Sequence, residues 1–177
     1  MNVKYLNHNT LTDIITFDYC HGNLINGEMF ISIDRIKDNA KDFSVSLDKE
    51  LFPYSPWSAS QYKEEFSSPT RHFVVAVDAA QSIIGYAGVF APGQTEADIL
   101  TVGVVPEQRG KGIAKALIAL ITDWANNQGS TAMMLEVKTD NLGAIGLYES
   151  LGYSKLNVRK DYFGAGLDAQ VMRLELS

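Results

Sequence analysis

A glycine-rich basic turn between a strand and a helix is the feature that most restricts how this chain folds. The β-rich run Ile99–Val105 leads into this turn, and apolar residues then recur at helical spacing. The first N–H groups of such a helix lack intrahelical partners and lie at the positive end of its dipole. Gly110 and Gly112 permit close approach, and Arg109 and Lys111 add positive charge. The turn therefore predicts a phosphate-binding cradle.

Two common phosphate loops do not fit this turn. A Walker loop requires Ser or Thr directly after its Gly-Lys, whereas Lys111 is followed by Gly112. A dinucleotide fold places its glycines after the first strand, with an acidic residue ending the second strand. Here the turn lies past the middle of the chain, and Asp123 falls within the predicted helix. Both classes are therefore disfavoured.

A second informative segment divides into strand, turn and helix. Residues 132–138 alternate between apolar and polar side chains, which places Glu136 on the polar face of a predicted strand. Asp140 or Asn141 can cap the following helix, and Gly152 stands where a left-handed C-terminal glycine is expected. The apolar stripe predicted for this helix comprises Leu142, Ile145, Tyr148 and Leu151.

These two segments resemble those of a known enzyme superfamily. The pattern Arg-x-x-Gly-x-Ala over residues 109–114 resembles motif A of the GCN5-related N-acetyltransferases (GNAT), which holds the pyrophosphate of acetyl-coenzyme A. The run from Asn141 to Tyr153 resembles motif B. The longer stretch from Leu135 through Tyr162 is similar to the RimI family of ribosomal-protein alanine N-acetyltransferases. The resemblance extends from about residue 31 to residue 176, including Glu50-Leu51-Phe52-Pro53 and Pro56-Trp57-Ser58 in a substrate-loop position.

The resemblance implies roles for individual residues. Glu136 matches the general base and Tyr148 the general acid. Trp57 and Tyr162 are candidate walls of the acceptor groove, because aromatic side chains offer rigid contact area. After Tyr162 this chain has Phe163-Gly164-Ala165-Gly166 where many members have Tyr-Pro. The expected coenzyme contacts are Val102, Gly103, Val104, Arg109, Gly110, Lys111, Gly112, Ile113, Ala114, Lys115 and Asn141.

Each of these residues also has a simpler interpretation. Glu136 alone is an ordinary solvated strand charge, and Tyr148 alone is an ordinary core residue. Asn141 is a helix cap by itself, Trp57 a packing anchor and Tyr162 a strand residue. The joint spacing of Glu136 and Tyr148 after a phosphate cradle favours the functional interpretation.

Composition is typical of a compact domain. The chain has 177 residues and 46% hydrophobic content, and no apolar run approaches the roughly 20 residues of a membrane span. A single cysteine, Cys20, excludes an intrachain disulfide and favours the cytoplasm. The three histidines form no metal-binding pattern, so no metal is expected. A net charge of −6 argues against nucleic-acid binding.

The predicted fold is a single-domain α+β layered structure of the GNAT kind, with a mixed, mostly antiparallel sheet flanked by helices. Strands are predicted at residues 29–33, 72–77, 83–90, 97–105 and 132–138, with two more near the C-terminus. Helices are predicted at 38–50, 59–67 and 110–127, besides the Tyr148 helix. The acetyltransferase domain is expected at 29–177. Residues 1–28 are an extension that is an added hairpin, a partner-binding arm or disordered.

The resemblance implies an acetyl-CoA-dependent N-acetyltransferase of the cytoplasm, without a metal or membrane attachment. The expected acceptor is the α-amino group of a protein or peptide, with a ribosomal protein favoured, and the expected state is a monomer or weak dimer. Acetylation of a small amine, such as a polyamine or amino acid, remains an alternative. A weakly catalytic acyl-CoA-binding module is the alternative from another class.

Overall fold

The computed structural model describes residues 23–25, 28–32, 49, 51, 58, 60–61, 64–65, 68–78 and 83–177. Two helices have described bounds, α1 (Ile113–Asn127) and α2 (Leu142–Ser150), and a 3-10 turn covers Pro106–Gln108. The strands are β1 (Asn23–Ile25), β2 (Glu28–Ser32), β3 (Arg71–Val77), β4 (Ile83–Phe90), β5 (Glu96–Val104), β6 (Ala132–Lys138), β7 (Ser154–Arg159) and β8 (Ala169–Glu175).

The strands form one sheet in the order β1-β2-β3-β4-β5-β6-β8-β7. The β5–β6 pair is parallel and the other neighbouring pairs are antiparallel. A parallel pair needs a crossover connection, and α1 supplies it between β5 and β6. The mixed, mostly antiparallel sheet that the sequence predicts is therefore confirmed.

Helix α1 packs on β3, β4 and β5 through one apolar face. Its fully buried residues include Leu117 and Ile121, each of which stabilises the fold by about 1.5–3 kcal/mol on burial. Gly129, with φ of +85°, follows the end of the helix in the left-handed conformation that is common at this position. This face also buries Ile113, Ala116, Ile118 and Ala125.

A bulge in β5 separates it from β6. Thr101 pairs with Gly88 and Ile99 pairs with Val89, so Leu100 is an extra residue without a partner on β4. Strands β5 and β6 pair only over Glu96–Asp98 and Ala132–Met134 among the described residues. The segments beyond these pairs, 99–104 and 135–138, border what we call the β5–β6 gap.

Several boundaries differ from the sequence predictions. Helix α1 begins at Ile113 and not at residue 110, because Gly110 and Gly112 adopt φ values of +76° and +86° that no right-handed helix contains. Leu142 was predicted to be buried but is 74% exposed, since it lies in the first turn of α2, before the helix reaches the core.

Part of the predicted chain lies outside the described residues. Helical conformation is described at 49, 51, 60–61 and 64–65, within or beside the two helices predicted before β3, whose bounds are not described. The first predicted strand is confirmed as β2, and β1 pairs with it as a hairpin. Within the described part of the chain, no helix combines the length and apolar character needed to cross a bilayer.

Candidate active site

The predicted phosphate cradle is formed by the start of helix α1. Gly112 is the N-cap, and the first intrahelical bond runs from Ala116 N–H to its carbonyl oxygen at 3.0 Å. The N–H groups of residues 113–115 precede that bond, so they have no partner within the helix. They point out of its N-terminal end. The first turn of α1 contains no acidic residue to offset the helix dipole. A Cβ added at Gly110 would meet no atom within 4 Å, so the approach to this backbone is open.

The two basic residues of the cradle also hold its shape. Arg109 Nε donates a hydrogen bond to the carbonyl oxygen of Val104 at 3.1 Å, which ties the turn to the end of β5. Lys111 Nζ contacts the side-chain oxygen of Gln108. Both cations therefore stay beside the start of α1, where they add to its positive potential.

Glu136 and Tyr148 lie on opposite sides of the sheet. Leu135 and Val137 point into the core cluster that contains Tyr148 and the buried face of α1. Because side chains alternate along a strand, Glu136 points to the other face. The strand-turn-helix unit thus places the carboxylate of Glu136 on one side of the sheet and the phenol of Tyr148 on the other.

Tyr148 lies in an apolar environment on α2. Its ring meets that of Tyr153 edge to face, with centroids 5.5 Å apart. Burial raises the pKa of Tyr148 far above its usual value, and burial also raises the pKa of Tyr153 to about 12. Tyr148 therefore remains protonated throughout the physiological range and can donate a hydrogen bond.

The two buried tyrosines predict a loss of stability in alkali. Their folded-state pKa values exceed the unfolded value of about 10, so the unfolded chain releases these protons first as the pH rises. The free energy of unfolding should fall above pH 10, by about 2 kcal/mol at pH 12 from Tyr153 alone. Urea unfolding of the wild type and Tyr153→Phe between pH 7 and 11.5 measures this. An equal alkaline slope in the variant would contradict the assignment.

A group of charged and aromatic side chains surrounds Glu136 on its face of the sheet. Arg159 Nη1 donates to Glu136 Oε1 at 2.6 Å, and the Arg159 guanidinium lies over the Tyr162 ring, 5.3 Å from its centroid. Asp98 is half-buried on β5. Burial, reinforced by Glu96 and partly offset by Arg159, raises the pKa of Asp98.

The structure brings several predicted residues together. Tyr162 lies beside Glu136, at 48% exposure, and burial together with the Glu136 carboxylate raises the pKa of Tyr162. Asn141 caps α2 by accepting a hydrogen bond from Ala144 N–H at 3.2 Å. Trp57 lies outside the described residues. The described residues contain no group of three side chains able to hold a metal ion.

The sequence did not single out Asp98 or Arg159. An acidic residue within an apolar strand was the available signal for Asp98. Arg159 belongs to the run that resembles the RimI family, but no role was predicted for it, because its partner Glu136 lies 23 residues earlier in the chain.

Comparison with known proteins places this geometry in a family. The model of the "Acetyltransferase (GNAT) family" matches residues 39–153, which include the cradle, Glu136 and Tyr148. The chain belongs to the GNAT acetyltransferases. An N-alpha-acetyltransferase RimI from Mycobacterium tuberculosis is 35% identical to this GNAT protein over 134 residues, covering 73% of the chain and 82% of the relative. The chain is an acetyl-CoA-dependent N-acetyltransferase of the RimI kind.

Two further matches cover smaller parts of the relatives. An uncharacterized protein from Mycobacterium leprae is 38% identical over 139 residues, which are 76% of the GNAT chain but 38% of that protein. A stretch of 51 residues, 29% of the chain, is 63% identical to the endoribonuclease YbeY of Flavobacterium johnsoniae and covers 37% of it. The chain spans less than two fifths of both relatives, so neither match assigns it the longer protein's activity.

A solved structure shares the fold of this GNAT domain. The ribosomal-protein-S18-alanine N-acetyltransferase from Escherichia coli matches with a TM-score of 0.73 at 22% identity. The match covers 85% of this chain and 94% of the other. The expected GNAT fold is thereby confirmed.

Proposed function

We propose that this enzyme transfers an acetyl group from acetyl-CoA to the N-terminal α-amino group of a protein, with a ribosomal protein as the favoured acceptor. The observation that carries the proposal is that Glu136 borders the β5–β6 gap on one side of the sheet, whereas Tyr148 belongs to the core on the other side. A thioester in that gap would have a carboxylate on the acceptor side and a phenol on the other.

The start of α1 is the proposed site for the coenzyme's pyrophosphate. Its open backbone N–H groups and the cations of Arg109 and Lys111 suit phosphate oxygens. The coenzyme's amide chain would then extend along β5, where residues 102–104 pair with β4 and face the gap on their other edge. A backbone N–H of this segment is the proposed donor to the thioester carbonyl oxygen. The remaining proposed coenzyme contacts are Gly110, Gly112, Ile113, Ala114, Lys115 and Asn141.

The proposed chemistry is direct attack within a ternary complex. The acceptor nitrogen forms a bond to the thioester carbonyl carbon, the carbon–sulfur bond breaks, and coenzyme A leaves as a thiolate. The amine proton passes to Glu136, directly or through water. Tyr148 donates a hydrogen bond to the departing sulfur, because its raised pKa disfavours full transfer of its own proton.

The acceptor groove is proposed to lie on the Glu136 face, with Tyr162 and Trp57 as its walls. The names of two relatives support a protein acceptor: the mycobacterial relative is an N-alpha-acetyltransferase, and the E. coli enzyme acts on ribosomal protein S18 alanine. We further propose that the enzyme is cytoplasmic and is a monomer or weak dimer. Acetylation of a small amine is the second candidate, favoured by Asp98 as an additional carboxylate near Glu136.

The proposed acceptor predicts a preference for α-amines over lysine. An α-amine has a pKa of about 7.7–8.0 and a lysine about 10.4, so a lysine needs about 3.3 kcal/mol more for deprotonation. We expect an alanine-first peptide to be acetylated at its N-terminus about 10²-fold faster than at an internal lysine. Mass spectrometry of one peptide carrying both amines measures the ratio.

Two controls complete this test. The same peptide with a blocked N-terminus measures lysine acetylation alone, and spermidine represents small amines. Faster lysine or spermidine acetylation would favour the small-amine candidate. Coenzyme binding without thiol release by any amine would favour an acyl-CoA-binding module.

A further inference from the structure

The side chain of Arg159 contacts both a carboxylate and an aromatic ring on the Glu136 face of the sheet. Its Nη1 lies 2.6 Å from Glu136 Oε1, and its guanidinium lies 5.3 Å from the centre of the Tyr162 ring. A carboxylate and an aromatic face are the groups that bind organic ammonium ions in proteins. Arg159 therefore has the environment that a substrate amine needs.

The strand register explains how Arg159 reaches this position. Arg159 pairs with Ala169 of β8, and Glu136 pairs with Val171 of the same strand. Residues directly opposite each other share a face of the sheet, so the guanidinium crosses β8 above small apolar side chains. Asp98 pairs with Met134, which lies on the Glu136 face, so it adds a second carboxylate to the same region.

The ion pair is weak enough for a ligand to displace. The Arg159 side chain is 54% exposed and that of Glu136 is 23% exposed. Exposed pairs of this kind contribute little to stability, whereas fully buried pairs are much harder to break. Strand β7 is exposed along its length, so Arg159 has solvent into which it can move.

The pair also conflicts with the proposed chemistry. The Glu136 oxygen that accepts the hydrogen bond from Arg159 is occupied on the side from which an amine would approach. We infer that Arg159 is a displaceable counter-ion of Glu136, which the acceptor's ammonium group replaces when it binds. This inference rests on the proposed role of Glu136. It makes Arg159 a positioning residue that sets acceptor affinity and selects cationic acceptors.

Kinetics of Arg159 variants test the inference. Arg159→Met keeps most of the apolar stem but removes the competing cation, so the acceptor KM should fall about three- to fivefold, the range set by an exposed pair. The KM for acetyl-CoA should not change. Arg159→Lys restores a cation and should return the acceptor KM toward the wild-type value. The acceptor is the alanine-first peptide, or spermidine if only spermidine is acetylated.

A remote ion pair supplies the matched control. Lys155, on the same strand, pairs with Glu149 of α2 at 2.8 Å, and both side chains are 48% exposed. Lys155→Met removes an equivalent charge from β7 and should leave both KM values unchanged. An unchanged or higher acceptor KM in Arg159→Met would overturn the counter-ion role.

A binding measurement tests the exchange without turnover. The side-chain Nε–Hε resonance of Arg159, assigned by its loss in Arg159→Met, should shift on addition of alaninamide. The neutral analogue N-acetylalaninamide should cause no shift. A response to alaninamide without peptide acetylation would contradict the proposed acceptor but support the counter-ion. No response, or equal responses to both compounds, would overturn it.

Discussion

Replacement of Glu136 by glutamine should lower the turnover number by about 10²–10⁴, the usual contribution of a general base. The amide keeps the shape of the side chain and can still accept a hydrogen bond from Arg159, but it cannot take the amine proton. This loss corresponds to about 2.7–5.4 kcal/mol in the activation free energy. Steady-state release of thiol at saturating peptide and acetyl-CoA measures it. The dissociation constant of acetyl-CoA should change little, because Glu136 is proposed to act on the amine and not on the coenzyme.

The matched control for this experiment is Glu149→Gln. Glu149 follows Tyr148 on α2 and makes an ion pair of similar length, with Lys155. It therefore reports the effect of losing a surface carboxylate outside the Glu136 site. The turnover of this variant should remain within about twofold of the wild type, as expected for an exposed pair. Full activity in Glu136→Gln would remove this carboxylate from the mechanism. An equal loss in both variants would point to a general effect of charge.

Replacement of Gly112 by valine should abolish the stabilisation of the protein by coenzyme A. At a ligand concentration of 100 times Kd, binding adds about 2.7 kcal/mol to the free energy of unfolding, or roughly 5–10 °C in Tm for a domain of this size. The valine side chain would stand beside the helix-terminal N–H groups that are proposed to hold the pyrophosphate. Thermal unfolding with and without coenzyme A measures the shift.

The structure shows that this substitution also strains the backbone. Gly112 has φ of +86°, where a β-branched residue is disfavoured by about 1–2 kcal/mol. Gly129, at the other end of the same helix, has φ of +85° and ordinary space around a Cβ, with its nearest neighbour 3.8 Å away. Gly129→Val should therefore lower Tm by a similar amount but keep the coenzyme-induced shift. A shift that survives in folded Gly112→Val would contradict the cradle assignment.

Strand positions could be predicted from the sequence because apolar alternation is a local property. The bounds of β6 and β4 agree with the prediction, and β3 and β5 differ by one residue. The start of α1 was three residues off because glycines followed by an apolar period resemble a helix start. Only the backbone shows that Gly110 and Gly112 take left-handed φ values, so the helix starts after them.

The candidate site was predictable to the extent that its residues are close in sequence. Glu136, Asn141 and Tyr148 belong to one strand-turn-helix unit, and their motif identifies them. Arg159 lies beside Glu136 because β8 pairs with both β6 and β7. A local sequence pattern contains no information about this long-range pairing. The bulge at Leu100 has only a weak sequence signal, which is the break in alternation made by the successive apolar residues Ile99 and Leu100. Among the described residues, the part of β5 after Asp98 pairs with β4 and not with β6.

The bulge residue Leu100 fixes the number of residues that this part of the chain can contain. Without the extra residue, β5 could pair with β4 in continuous register. Each side chain after position 100 would then point to the opposite face of the sheet, and each backbone N–H there would point to the opposite edge of the strand. The N–H groups proposed for the thioester would then face β4. The interval of eleven positions from Asp98 to Arg109 should therefore tolerate changes of side chain but not the gain or loss of one residue. Natural length variation in proteins that share this site is expected instead in connections such as residues 91–95, which lie outside the strands and the proposed site.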